Sequence, residues 1–161
     1  MISRIFHIAI NAKNLDRSIE FYTRLGFTVI GDRPVNNDLV KDAFLVPTGD
    51  FRFAHLRLGD DASATVLDIV EWYNPPTADS GDAPVSQHQR GLTRFAVLTD
   101  DTQQVYDELS AAGVEFLTTP TSVLTPQGGW KVCLVADPDN VVVQVTQLLP
   151  APAQEDQGAA S

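Results

Sequence analysis

A supersecondary order that occurs twice along the chain constrains its fold more than any single motif, because each copy has to meet the same topological demand with its own strands and helix. Aligning Phe6-His7-Ile8-Ala9-Ile10 with Thr93-Arg94-Phe95-Ala96-Val97 also brings Tyr22-Thr23-Arg24-Leu25-Gly26-Phe27 beside Leu109-Ser110-Ala111-Ala112-Gly113-Val114. In the first copy, residues 4–11 alternate as a strand does. Asn14 offers a helix cap, Ile19, Phe21, Tyr22 and Leu25 recur at helical spacing, and Gly26 supplies a stop. Strands are expected at 27–30, 51–58 and 65–72. The second copy predicts a strand over 91–99, then a helix capped by Asp100 or Asp101 with Val105, Leu109 and Ala112 on one stripe. Gly113 ends that helix, and strands follow over 114–117, 130–136 and 141–148.

The fold class that follows is α+β, built from two βαβββ modules at 1–74 and 91–149. Residues 75–90, with Pro75, Pro76, Gly81 and Pro84 among polar neighbours, read as a linker. Residues 150–161 have too little apolar surface to pack and read as a disordered tail.

Composition narrows the partners. A formal net charge of -10 with only 11 Lys and Arg argues against nucleic acid and against an anionic membrane, both of which are held through basic clusters. No run approaches the roughly 18 apolar residues of a membrane span. The N-terminal residues lead straight into strand-like sequence, and Cys133 stands alone, so no intramolecular disulfide forms and a cytoplasmic location is expected.

These residues resemble the vicinal-oxygen-chelate superfamily, which includes glyoxalases, bleomycin-resistance proteins and extradiol dioxygenases. The pieces that carry the resemblance are His7-Ile8-Ala9-Ile10, then Leu15 to Tyr22 and Leu25-Gly26-Phe27, the strand Leu67-Asp68-Ile69, the restart Gly91 to Ala96, and Asp137-Pro138-Asp139-Asn140 leading into Val143-Gln144-Val145. It implies that the two modules form an open, incomplete β-barrel around one cavity, with the helices on the convex side. It also implies four inward side chains, two on each module's first and last strands, which hold a metal in many members. They fall here on His7, Asp68, Arg94 and Gln144, where the usual occupants are His or Gln, Glu, His and Glu.

Arg94 is the departure that matters. A guanidinium stays protonated and has no lone pair to give a metal, so the expectation is a metal-free site in which Arg94 replaces the ion and Asp68 is its natural partner. The competing expectation is a divalent metal held by His7, Asp68 and Gln144.

Strand alternation sorts the remaining candidates. It groups Asp68 with Val66, Val70 and Trp72 and leaves Glu71 on the opposite face, as a weaker candidate. Phe51, Phe53, His55 and Arg57 share a face, opposite Ala54, Leu56 and Leu58. Ile5 and Ala9 flank His7, while Phe6, Ile8 and Ile10 turn under the helix. Phe53, His55, Trp72, Trp130 and Gln144 are therefore expected to line the ligand site, with His7, Asp68 and Arg94 as the catalytic set. Trp130, next to Gly128-Gly129, either lids the cavity or covers a sheet edge. Each has a plainer alternative: His7 as a hydrogen-bonded core histidine, Asp68 and Arg94 as a structural ion pair, Gln144 as a lining hydrogen-bonder. His88 reads as solvated and Cys133 as a small buried hydrophobe.

Three functions fit. The leading one is an isomerase, lyase or cyclase acting on a carbonyl-containing or enolisable small molecule, with His7 as acid or base and Arg94 stabilising an oxyanion or carboxylate. The alternatives are a non-catalytic drug- or natural-product-binding protein of the bleomycin-resistance kind, and a metal-dependent glyoxalase- or dioxygenase-type enzyme. A homodimer is compatible with each.

Overall fold

The computed structural model of the chain describes residues 2–79, 81 and 83–151; all but the first two residues of the expected tail lie outside them. The element order is β1 (His7–Asn11), α1 (Leu15–Arg24), β2 (Phe27–Asn36), α2 (Leu39–Phe44), β3 (Asp50–Leu58), β4 (Val66–Trp72), β5 (Phe95–Leu98), α3 (Thr102–Ala111), β6 (Thr121–Thr125), β7 (Gly128–Ala136) and β8 (Val142–Leu149). The strands form two four-stranded sheets, ordered β1-β4-β3-β2 and β5-β8-β7-β6. Each sheet therefore has the same topology. Its first and last strands pair in parallel, β1 with β4 and β5 with β8; β2–β3 and β6–β7 are antiparallel pairs, joined to them through β3–β4, also antiparallel, and through β7 beside β8. The α+β class and the duplicated βαβββ order are as the sequence leads one to expect, and neither sheet closes on itself.

Two compact units are present. One comprises residues 1–89 together with 136–141, and the other 90–135 with 142–161. The segment between β7 and β8 thus belongs to the first unit, which sequence order gives no reason to expect.

Local chemistry places the helices. Asn14 accepts from the Arg17 amide at 3.0 Å, and the Glu71 carboxylate accepts from the Leu15 amide at 3.0 Å, so two of the otherwise orphaned donors of α1 are satisfied. Gly26, with φ +91°, takes the left-handed position past the helix end. Asp101, and not Asp100, caps α3 by accepting from the Gln103 and Gln104 amides at 2.9 and 3.1 Å. Leu15 and Tyr22 of α1 and Leu56 and Ile69 of the first sheet are fully buried, and Leu109 of α3, Cys133, Val135, Val143 and Val145 are buried in the second unit.

Four sequence expectations need correction. The second strand runs to Asn36 and not to Ile30, because β2 is an edge strand, where Pro34 costs no ladder hydrogen bond. The strand expected over 91–99 is only Phe95–Leu98. The stretch 114–117 makes a single bridge, Phe116 to Val135, and the strand itself lies later at Thr121–Thr125. Pro120 has no amide to donate, and the Thr118 hydroxyl accepts from the Leu134 amide at 2.9 Å, so pairing lapses there and resumes in a shifted register. Phe6 is 62% exposed and not under the helix. The short helix α2 had no periodic signal over its six residues.

A buried polar cluster holds residues 136–141 on α1. The Tyr22 hydroxyl donates to Asp137 Oδ2 at 2.9 Å, while Asp137 Oδ1 accepts from the Asp139 and Val141 amides, each at 2.8 Å. Asp139 in turn accepts from the Ser18 hydroxyl at 3.3 Å and the Lys13 amide at 3.0 Å. Burial pushes the Asp137 carboxyl above the usual carboxylate range despite the three donors, which act in the opposite sense. Burial first, and then the Asp137 charge, push the Tyr22 phenol far up, so it stays a donor.

Two outcomes follow. Tyr22→Phe strips Asp137 Oδ2 of its donor inside the fold and is expected to cost about 1–3 kcal/mol of unfolding free energy, read by urea denaturation. Because the folded pKa of Asp137 is raised, its contribution favours the folded state most below the ordinary aspartate value and is lost as pH rises through the raised one. The native chain should therefore gain stability relative to Asp137→Asn as the pH is lowered through that window, and a pH-independent difference between the two would contradict this.

Candidate functional site

Cross-strand register assembles one face of the first sheet. His7 lies opposite Val66 and Ala9 opposite Asp68 on β1 and β4. Between β3 and β4, Phe51 lies opposite Trp72, Phe53 opposite Val70, His55 opposite Asp68 and Arg57 opposite Val66. Partners share a face, so His7, His55, Arg57, Asp68, Phe51, Phe53 and Trp72 all project from the side away from α1, as alternation predicts. Glu71 projects from the other side and is occupied with the α1 amide.

Along this face, aromatic and ionisable groups interleave. The Phe51 and Trp72 rings stand 4.8 Å apart and those of Phe53 and His55 4.5 Å. Trp72 is oriented by donating Nε1–H to Asn11 Oδ1 at 2.9 Å. The Arg33 guanidinium of β2 sits 5.3 Å from the Phe53 ring centroid, a cation–π distance.

His55 Nε2 lies 3.4 Å from Asp68 Oδ1 across the strands, close enough for charge attraction but without hydrogen-bond alignment. Asp68, for which the sequence suggested Arg94, thus has a histidine partner within its own sheet. His7 is exposed, its ring set edge-on to Phe6 at 5.4 Å; it is no buried core histidine.

The second sheet repeats the geometry with different chemistry. Ala96 lies opposite Gln144, so Arg94 and Gln144 stand in the register that His7 and Asp68 occupy in the first. Arg94 Nε donates to Gln144 Oε1 at 2.7 Å, and Gln144 Nε2 donates to Thr146 Oγ1 at 2.9 Å. Trp130 alternates with the buried Cys133 and Val135 and lies on the opposite face of β7, 42% exposed. Burial pushes the Cys133 thiol up to about 11, so it is a poor nucleophile and behaves as a small hydrophobe. His88 accepts or donates through Nδ1 at 2.9 Å from the Ser86 hydroxyl, on the surface.

As metal donors the four positions are unequal. His7, Asp68 and Gln144 carry lone pairs and Arg94 carries none. The Gln144 carbonyl oxygen is already engaged by Arg94. Among the described residues, no group of three or more His, Cys, Asp or Glu is placed to hold an ion.

Sequence reasoning missed a concavity lying apart from the aromatic face. A polar cleft of about 520 Å³ in the first unit is lined by Asn11, Lys13, Arg17, Thr77, Asp79 and Asp139, among others. Lys13 and Asp79 pair across it at 3.5 Å. Its walls come from the stretch read as a linker and from 136–141, segments far apart in the chain, so no local pattern announces it. Arg33 and Asn11 were also missed; the extended β2 is what brings the former to the aromatic face. Among the described residues, no helix is long and apolar enough to cross a membrane.

Comparison with known proteins agrees with this architecture. A lactoylglutathione lyase of Arabidopsis thaliana is 26% identical over 150 residues, covering 92% of this chain and 46% of that protein, so the chain spans about half the length of this plant relative. A Vibrio cholerae protein named "Probable lactoylglutathione lyase" is 28% identical over 145 residues, covering 89% of this chain and 90% of that one. The crystal structure of a glyoxalase family protein from Bacillus cereus matches with a TM-score of 0.77 at 15% identity, covering 92% of this chain and 96% of that one, a likeness of fold. The description Glyoxalase/Bleomycin resistance protein/Dioxygenase superfamily matches residues 4–145, and the chain belongs to that superfamily.

Proposed function

We propose that this chain is a small-molecule enzyme of its superfamily that performs lyase or isomerase chemistry on an enolisable carbonyl compound with its own cation in place of a metal ion. The observation that supports this most directly is the Arg94–Gln144 contact at 2.7 Å. It occupies one donor of the metal-binding constellation that the family resemblance implies, and it adds a permanent positive charge beside it. A donor set containing a guanidinium does not fit a divalent ion.

In this reading His7 takes the proton from the carbon next to the carbonyl, and the electron pair moves into the carbon–oxygen bond system. The carbonyl oxygen thereby gains negative charge, and Arg94 stabilises it. A guanidinium is suited to that task because its charge and hydrogen-bond fork are in place before the reaction starts. Where the deprotonated carbon bears a hydroxyl, return of the proton to what was the carbonyl carbon, with the hydroxyl proton passing to the former carbonyl oxygen, completes an isomerisation; where the next carbon, β to the carbonyl, bears a leaving group, collapse of the enolate expels that group with its bonding pair and completes an elimination. The names of the relatives make lactoylglutathione the first compound to assay.

A second reading draws on the aromatic contacts of Phe51, Phe53, Trp72 and His55, which suit the sequestration of a planar drug or natural product without turnover. Assembly as a homodimer is compatible with either reading.

His7→Ala is expected to lower kcat by roughly 10²- to 10⁴-fold while ligand affinity changes little. Arg94→Met should lower kcat by roughly 10²- to 10³-fold. Steady-state kinetics and calorimetry on the same preparations separate the readings: tight binding with no turnover in the native chain supports sequestration. Turnover should also survive exhaustive treatment with a chelator, checked by elemental analysis, and its loss with recovery on adding back a divalent ion would refute the metal-free reading.

A further inference from the structure

Two side-chain atoms stand out among the described residues as buried without a hydrogen-bond partner, Arg57 Nε and Asp68 Oδ1. Such groups are rare in folded proteins, because an unmet donor or acceptor forfeits its hydration for nothing. Their placement makes them informative. Arg57 lies opposite Val66 on β3 and β4, and Asp68 is two residues further along β4, so both project from one face, diagonally adjacent. The nearby His55 reaches Asp68 Oδ1 at 3.4 Å without the alignment of a hydrogen bond. One orphan is a cationic donor and the other an anionic acceptor.

We infer that this pair is a ligand-recognition site, in which Arg57 takes the carboxylate of a small aromatic acid and Asp68 takes a hydroxyl hydrogen on the same molecule. A molecule that supplies only an acceptor leaves Asp68 unmet, and one that supplies only a donor leaves Arg57 unmet. A hydroxy acid supplies both. The ring is accommodated by Phe53 beside His55, at 4.5 Å between centroids, with Phe51 beyond it at 6.5 Å from Phe53. Arg57 is suited to the carboxylate because its charge is fixed and its fork of N–H donors matches two oxygens. The inference rests on the reading of this face as the ligand site, but it concerns binding and not turnover.

Calorimetry of the full chain with three probes tests it: mandelate, phenylacetate, which lacks the hydroxyl, and benzyl alcohol, which lacks the carboxylate. Mandelate is expected to bind best. Losing either group, or its protein partner, should weaken binding by roughly 10- to 100-fold, the range of a hydrogen bond to a charged group. Arg57→Gln should therefore weaken mandelate and phenylacetate but leave benzyl alcohol unchanged. Asp68→Asn should bring mandelate down to the level of phenylacetate. The probe series on the native chain decides the matter even where a variant fails to fold. Equal affinity for the three probes overturns the inference, as does no binding of any, or Zn²⁺ binding that depends on Asp68 while mandelate does not bind. The His7→Ala chain should bind mandelate as the native chain does. A lost turnover effect with this binding pattern intact therefore removes the proposed chemistry alone, and the reverse removes this inference alone.

Discussion

The hydrogen bond from Tyr22 to the buried Asp137 carboxylate is the contact on which the first unit is organised, because it joins two parts of the chain 115 residues apart at the centre of a polar cluster. A carboxylate is expensive to bury, and three donors converging on its two oxygens offset part of that cost, burial still winning in its raised pKa. The same segment places Asp139 against the start of α1, where it meets the Ser18 hydroxyl and the Lys13 amide. One wall of the polar cleft follows from this, since Pro138, Asp139 and Asn140 line it.

The two faces of each sheet have divided their work. The face under the helix is apolar at its centre, with Ala54, Leu56 and Ile69 fully buried in the first unit and Val143 and Val145 in the second, and in the first sheet it turns polar at Arg52 and Glu71, which meet Asp16 and the Leu15 amide of α1. The opposite face carries His7, His55, Asp68, Arg57 and the aromatic rings in the first sheet, and Arg94 and Gln144 in the second. A strand alternates strictly, so a residue cannot serve both. Glu71 shows the consequence: one position from Val70 and three from Asp68, it is committed to the α1 amide at 3.0 Å and has no part in the ligand face.

Duplication has kept geometry and changed chemistry. His7 and Asp68 in the first sheet occupy the register of Arg94 and Gln144 in the second. A neutral-or-cationic imidazole and a carboxylate can exchange protons, whereas a guanidinium and an amide cannot, so the two sheets offer different capacities from equivalent positions.

Much of this was legible in the amino-acid order. The repeat, the helices α1 and α3 with a cap at Asn14 and one at Asp100 or Asp101, and the face assignments of Asp68, Phe53, His55 and Trp72 all follow from short-range periodicity, which local steric and capping chemistry enforce. Three-dimensional context decided what periodicity cannot encode. Pro34 is acceptable in β2 only because that strand lies at an edge, and Thr118 to Pro120 displace β6 only because Leu134 is there to pair with. The choice of His55 as partner for Asp68, the pairing of Arg94 with Gln144, and the assignment of 136–141 to the first unit are also contacts between residues distant in sequence. Hydrogen bonding and charge act over a few ångströms of space. Which groups come within that range is a property of the folded chain, whereas which face a residue can occupy is already written in its neighbours.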